Sequence, residues 1–287
     1  MLADFADKDQ SSLLRPSFFI DLSSGEDPGL MILALLQARV SSSRLPGKVL
    51  KPILEQPMLF RQIERLVRCR RIDRLVVTTS TDPSDDPLVA ECTRRNISVH
   101  RDSLFDVLER FASAARVFRP NIVVRLTGDC PLADWELIDQ AIDAFQAGGY
   151  DYLTNAEPPT YPDGLDVEVV SEKALLDAAV TAQLPSEREH VTLFIRNHPE
   201  RFNIGRLTQS MDLSFHRWTV DDPEDLDLVQ RIYEALYPAN AAFTTADVLA
   251  FLQSNPELMA INSHIERDAG LRKSLMLEES RLQRKGS

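Results

Sequence analysis

Eleven residues, Ala38-Arg39-Val40-Ser41-Ser42-Ser43-Arg44-Leu45-Pro46-Gly47-Lys48, hold three cations, three serine hydroxyls, a glycine and a proline. They follow an apolar run, Met31 to Leu36, that reads as a buried strand, so the cations share one loop at a strand end. Arg39 and Arg44 can fork onto phosphate oxygens, and Lys48 adds a point charge. Gly47 permits backbone N–H groups to approach those oxygens, and Pro46 stiffens the turn. The spacing is not that of a G-x-x-x-x-G-K-[ST] phosphate loop. Elsewhere the chain is acidic, with 32 Lys+Arg against 44 Asp+Glu and a net charge of -12. A cationic loop on an anionic body suits a small anion, best a triphosphate; a solvated basic turn is the plainer account of the same residues.

Carboxylates supply the second set of candidates. Asp129, in Gly128-Asp129-Cys130-Pro131, follows the strand-like run Asn121 to Leu126 and could present a hard ligand to Mg²⁺ beside a triphosphate. Residue type alone is better explained by turn chemistry or an N-cap. Asp222 before Pro223 reads as a helix N-cap with Asp225 in the first turn, which leaves Asp221 over, at the end of a strand expected across Phe215 to Val220. Asp166 and Glu168 alternate along a strand expected across Leu165 to Val170 and so face one side, where Asn155 could join them; a solvated edge strand would look the same. Thr79 and Ser80 lie at the end of the strand expected across Arg74 to Thr79. His190, in Arg188-Glu189-His190, reads more simply as the partner of a carboxylate than as a base.

The elements that must position these residues alternate. Leu59, Ile63, Leu66 and Val67 share a helical face, as do Leu104, Val107, Leu108 and Phe111, then Leu137, Ile138, Ala141, Ile142 and Phe145. Apolar strands between such helices predict an α/β fold with a mainly parallel sheet covered on both faces, and a ligand beyond the carboxyl ends of its strands. A helix is expected over Glu172 to Ala182, and another from Pro223 with Leu226, Val229, Tyr233 and Leu236 on one face.

At 287 residues the chain can bury a substantial core, and the expected organisation is one domain over residues 30–255, a flexible extension over 1–29 and a tail over 256–287. The acidic balance argues against nonspecific nucleic-acid binding. No apolar run approaches the roughly 18 residues that span a membrane. The first residues lack the basic start and apolar middle of a signal peptide, so a cytoplasmic protein is expected. Cys69, Cys92 and Cys130 show no metal spacing and read as reduced thiols.

The loop's S-x-R-L-P-G-K core resembles the nucleotide-binding signature of sugar cytidylyltransferases of the spore coat polysaccharide biosynthesis protein F group, relatives of the synthetases that activate 3-deoxy-manno-octulosonate. The likeness extends in order through Arg125-Leu126-Thr127-Gly128-Asp129-Cys130-Pro131-Leu132, Tyr161-Pro162-Asp163-Gly164-Leu165-Asp166-Val167-Glu168, Arg188-Glu189-His190-Val191, Val220-Asp221-Asp222-Pro223-Glu224-Asp225-Leu226 and Ile261-Asn262-Ser263-His264-Ile265. The resemblance implies a nucleotide-diphospho-sugar transferase fold (GT-A-like, Rossmann-like, three-layered). It also implies transfer of CMP from CTP to a sugar or sugar-acid acceptor for surface polysaccharide. In its terms Asp129 and Asp221 hold Mg²⁺, while Ala38, Arg39, Ser43, Arg44, Gly47, Lys48, Thr79, Ser80, Asp106 and Arg125 surround the nucleotide, Arg44 and Lys48 also serving catalysis. Asn155, Asp166, Glu168, Arg188 and His190 would line the acceptor side, and a homodimer would form through residues 150–215. Gln37, Cys130 and Arg267-Asp268-Ala269-Gly270-Leu271 depart from the pattern, which leaves the acceptor open. Two rival readings are a glycosyltransferase of the same fold, which uses a finished nucleotide sugar, and a noncatalytic nucleotide-binding relative.

Overall fold

The computed structural model describes residues 29–285, so all but the last residue of the expected extension over 1–29 lies outside the described residues. The first half runs β1 (Ile32–Gln37), a hairpin of β2 (Pro52–Ile53) and β3 (Gln56–Pro57), α1 (Met58–Leu66), β4 (Arg74–Ser80), α2 (Asp86–Arg94), β5 (Ser98–Asp102), α3 (Val107–Phe118) and β6 (Ile122–Thr127). Then come α4 (Trp135–Gly148), β7 (Tyr152–Thr154), β8 (Glu168–Ser171), α5 (Glu172–Thr181), α6 (Pro185–Glu189), α7 (Leu193–Asn197) and β9 (Ile204–Arg206). The chain closes with α8 (Pro223–Leu236), α9 (Thr245–Ser254) and α10 (Ala269–Lys285). None of these helices is long and apolar enough to cross a membrane.

Seven strands make one sheet in the order β5-β4-β1-β6-β8-β7-β9. β8 runs antiparallel to both neighbours and the other pairings are parallel. β1 sits near the middle because its run is apolar on both faces: Ile32, Ala34 and Leu36 join the layer of α1, α4 and α8, while Leu33 and Leu35 join that of α3 and α5. The result is the three-layer α/β fold expected from the sequence.

Two expected strands are shorter or absent. The strand expected from Leu165 begins only at Glu168, because the Asn155 side chain takes the hydrogen bonds of the preceding backbone: its Nδ2 donates to Leu165 O (2.8 Å) and its Oδ1 accepts from Val167 N (2.7 Å). Phe215 to Val220 is extended but meets loops rather than a strand. Trp218 N and Thr219 N both donate to Asp163 O, and Val220 N donates to Asp129 O, leaving one isolated bridge between Asp163 and Arg217. Val67, expected on the apolar face of α1, is exposed because the helix ends at Leu66.

Gly164 is where this irregular stretch turns under Trp218. Its φ is +105°, and a Cβ there would lie 2.5 Å from Thr219 N. Gly164→Ala is therefore expected to cost more than about 1 kcal/mol of stability, read as a lower chemical-denaturation midpoint.

Candidate active site

The ends of β1 and β6 meet closely. Gly128 N donates to Gln37 O at 2.7 Å, and a Cβ on Gly128 would lie 3.0 Å from both Gln37 O and the Ala38 Cβ. Without a side chain at 128 the two strand ends close up, which sets Asp129 beside the loop from Ala38 to Lys48. Val220 N then donates to Asp129 O at 2.8 Å, and Asp221 follows at once. Two carboxylates 92 positions apart in the chain (221 less 129) thus converge beyond the carboxyl ends of the strands.

Lys48 joins them. It opens a 3₁₀ turn, Lys48–Leu50, and is buried. Its Nζ donates to Asp129 Oδ2 and Asp221 Oδ1 at 2.8 Å each and to Val220 O at 2.9 Å, which uses all three ammonium protons. Burial disfavours the Lys48 charge, but the two carboxylates more than offset it and hold its pKa above the ordinary value. Burial likewise opposes ionisation of Asp129, and the Lys48 charge and hydrogen bond outweigh it, holding that carboxyl at about 2. Arg44, on the exposed rim, pairs with Asp221 and with Asp222 at 2.8 Å each. Cys130, whose thiol burial keeps protonated, donates to Asp129 Oδ1 at 3.6 Å.

A buried mount lies behind Asp221. Asp225, fully buried in the first turn of α8, accepts the backbone N–H groups of Asp221 (2.9 Å) and Asp222 (3.0 Å) through Oδ2. It also receives Arg217 Nε (2.9 Å) and Asn262 Nδ2 (2.8 Å). Arg217 reaches on to Asp163 at 2.9 Å and to Asp221 at 3.4 Å. The sequence marks Asp225 as a first-turn carboxylate, which it is, and gives no sign that Arg217 and Asn262 converge on it. Asp85 is a second residue the sequence reading missed. Fully buried in a 3₁₀ turn, it accepts Val40 N at 2.7 Å through one oxygen and the Ser80 N–H and hydroxyl through the other, so it anchors the loop to the end of β4.

Several expected ligand contacts are already spent inside the protein. Thr79 and Ser80 are fully buried, and Ser80 serves Asp85 rather than a base. Gly47 N donates to Val40 O at 3.0 Å, so it does not offer its N–H to a phosphate. Asp106 caps α3 and pairs with Arg188 at 2.6 Å, while Arg188 also donates to Ala179 O and Ala182 O; the expected nucleotide and acceptor contacts of this pair are replaced by each other. Asn155 is buried in the backbone role described above. Arg125 pairs across β6 and β8 with Glu168, which also accepts Tyr152 Oη (2.6 Å) and the Thr192 hydroxyl, so both are structural in this state. His190, half-buried after α6, has its pKa lowered by burial. Asp222 occupies the N-cap position as expected, yet its carboxylate turns to Arg44. Arg39 and Ser43 are exposed, and Ala38 is buried with its N–H on Thr78 O. Asp166 lies before β8 and pairs with Arg267 at 2.5 Å; burial pushes its carboxyl up to about 7 against that partner. Arg267 and Asn262 both come from the segment expected as a tail.

Two outcomes follow from these contacts. Asp225→Ala would leave Arg217 buried beside fewer carboxylates and is expected to cost about 3–5 kcal/mol, measured by chemical denaturation. Asp129 has a native pKa below its ordinary 3.8, so its ion pair adds stability above about pH 4 that is lost as the pH falls toward about 2. The stability difference between wild type and Asp129→Asn should stay constant from neutral pH down to about pH 5 and then shrink with further acid.

Residues 33–242 match the family described as "Cytidylyltransferase". The chain is 34% identical over 235 residues to the spore coat polysaccharide biosynthesis protein SpsF of Bacillus subtilis, spanning 79% of this chain and 95% of that protein. A solved cytidylyltransferase from Leptospira borgpetersenii superposes with a TM-score of 0.76 at 30% identity, over 80% of this chain and 97% of that one. A CMP:2-keto-3-deoxy-manno-octonic acid synthetase solved with CTP shares the fold at a TM-score of 0.56 and 18% identity, over 71% and 98% of the two chains. With its cleft lying on the matched span and the Bacillus and Leptospira relatives matched over 95% and 97% of their own lengths, the chain belongs to the cytidylyltransferase family of nucleotidyltransferases.

Proposed function

We propose that the protein transfers a cytidylyl group from CTP to a hydroxyl of a sugar or sugar-acid acceptor, with a divalent ion, Mg²⁺, held by Asp129 and Asp221. The observation that carries this reading is the convergence of those two carboxylates on one buried cation at the strand ends, beside Arg44. Among the described residues no three His, Cys, Asp or Glu side chains are grouped to hold a metal by themselves. Two hard carboxylates still fit Mg²⁺, which is commonly held by one or two carboxylates and completed by substrate phosphates and water. The relatives named for spore coat polysaccharide synthesis and for a synthetase complexed with CTP support the substrate class.

In the reaction an acceptor oxygen forms a bond to the α-phosphorus of CTP as the bond from that phosphorus to the bridging oxygen of the β-phosphate breaks. Pyrophosphate leaves with the electron pair, and the acceptor proton goes to solvent or a nearby base. The metal, when bound, would neutralise charge on the phosphoryl oxygens. The protein's part is positioning and electrostatics. Arg44 and Lys48 have carboxylate partners at rest and would turn to phosphate oxygens, while Arg39, exposed and in no ion pair among the described residues, is available at once. Asp225 and Arg217 keep the Asp221 carboxylate aimed into the cleft. Asp166 is the expected acceptor-side residue that keeps a partly accessible carboxylate.

Pyrophosphate release from CTP in the presence of candidate sugars tests the reaction; a glycosyltransferase would release none. Asp129→Asn and Asp221→Asn are each expected to lower turnover by about 10²–10³ or more with circular dichroism unchanged. Turnover like that of wild type in either variant would sink the metal assignment.

A further inference from the structure

Lys48 occupies the ground a metal would need. Its ammonium is within 2.8 Å of Asp129 Oδ2 and of Asp221 Oδ1 together, and its third proton is held by Val220 O. Mg²⁺ on the same oxygens would need to lie at about 2.0–2.1 Å from them. The two cations cannot share that space, and their charges repel. The two carboxylates also differ in a telling way. Asp221 has Arg44 at 2.8 Å and Arg217 at 3.4 Å besides Lys48, whereas among the described residues Lys48 is the sole cation in ion-pair contact with Asp129.

We infer that Lys48 is a resident counter-ion that keeps divalent metal off Asp129 and Asp221 until a polyphosphate draws its ammonium away, so that metal binding is coupled to nucleotide binding. This inference rests on the reading of Asp129 and Asp221 as metal ligands given above. The lysine is suited to the exchange. Its charge is compact and its stem turns on four carbons, so the ammonium can leave the carboxylates without the chain moving. Phosphate oxygens give it charge-assisted acceptors in place of those it leaves. Each partner then tightens the other, because a coupling free energy between two sites acts equally in both directions. A chain without nucleotide would hold little metal in the cleft, and its paired carboxylates would stay neutralised.

The test is Mn²⁺ binding to the full chain without nucleotide or acceptor, followed by electron paramagnetic resonance of the free ion. Wild type should bind Mn²⁺ weakly. Lys48→Met, which keeps the length of the side chain and removes its charge, should bind at least tenfold more tightly, and the gain should vanish in Lys48→Met with Asp129→Asn. Thermal unfolding checks that the variants are folded, and Lys48→Gln serves if the methionine variant is not. Equal or weaker binding in the Lys48 variant overturns the inference, as does saturation of wild type at micromolar Mn²⁺. A failure of the proposed reaction would appear instead as absent pyrophosphate release, which this measurement does not involve.

Discussion

One buried ammonium sets the shape of the cleft. Lys48 ties residues 81 and 173 positions away in sequence, Asp129 and Asp221, and without a cation between them those carboxylates would repel each other in a partly desolvated site. A lysine is rarely buried unless paired, and here both carboxylates and a carbonyl satisfy it. Much of the local architecture serves this one contact. The close meeting of Gly128 with Gln37 brings Asp129 up to the loop, Asp85 pins the loop's entry at Val40, and Asp225 fixes the backbone at Asp221.

Charge is layered outward from that point. Arg44 and Asp222 extend the alternation toward solvent, while Arg217, Asp163 and Asp225 extend it into the interior. A separate buried pair, Arg125 with Glu168, sits where the parallel half of the sheet gives way to the antiparallel strand β8. Glu168 is held there by three side chains: the Arg125 guanidinium of β6, the Tyr152 phenol of β7 and the hydroxyl of Thr192, just before α7. Of the three cations in the loop, Arg44 and Lys48 are therefore committed to protein carboxylates, and Arg39 alone is in no ion pair among the described residues.

Much of this was legible in the sequence. Apolar strands of near-continuous Leu, Ile and Val between helical periods predict the sheet and its layers, and Asp129 follows β6 as expected. The stretch before Asp221 is extended without a strand partner, and it is the family resemblance rather than position at a strand end that pairs the two as metal ligands. What stayed hidden were the long-range partners of residues that have a sufficient local explanation. Asp225 satisfies helix-capping rules by itself, so nothing in its surroundings points to Arg217 or Asn262. Asp85 looks like one turn aspartate among several, and its bond to Val40 spans 45 residues. Asp106 and Arg188 are ligand contacts in the terms of the resemblance, and nothing local in the sequence shows that each is the partner of the other, 82 residues off. The strand expected from Leu165 failed for a related reason: an asparagine side chain can substitute for a ladder, and alternation in the sequence does not register that.

Asn262 donates to Arg217 O at 3.0 Å and to Asp225, 37 residues earlier in the chain. On the ribosome this imposes an order of events. β1, β4 and β6 can pair as soon as residue 127 has emerged, but the mount of Asp221 lacks its last hydrogen-bond donor until the polypeptide has grown past 262. At about 5–20 residues per second, the interval from residue 127 to Asn262 lasts on the order of 7–27 s. During it the first strands of the sheet can pair while the mount of Asp221 is unfinished, and until Asp221 is made the lysine has only Asp129 to meet. Completion of the site thus waits on a residue made 56 positions (262 less 206) after the last strand of the sheet, β9, has ended at Arg206.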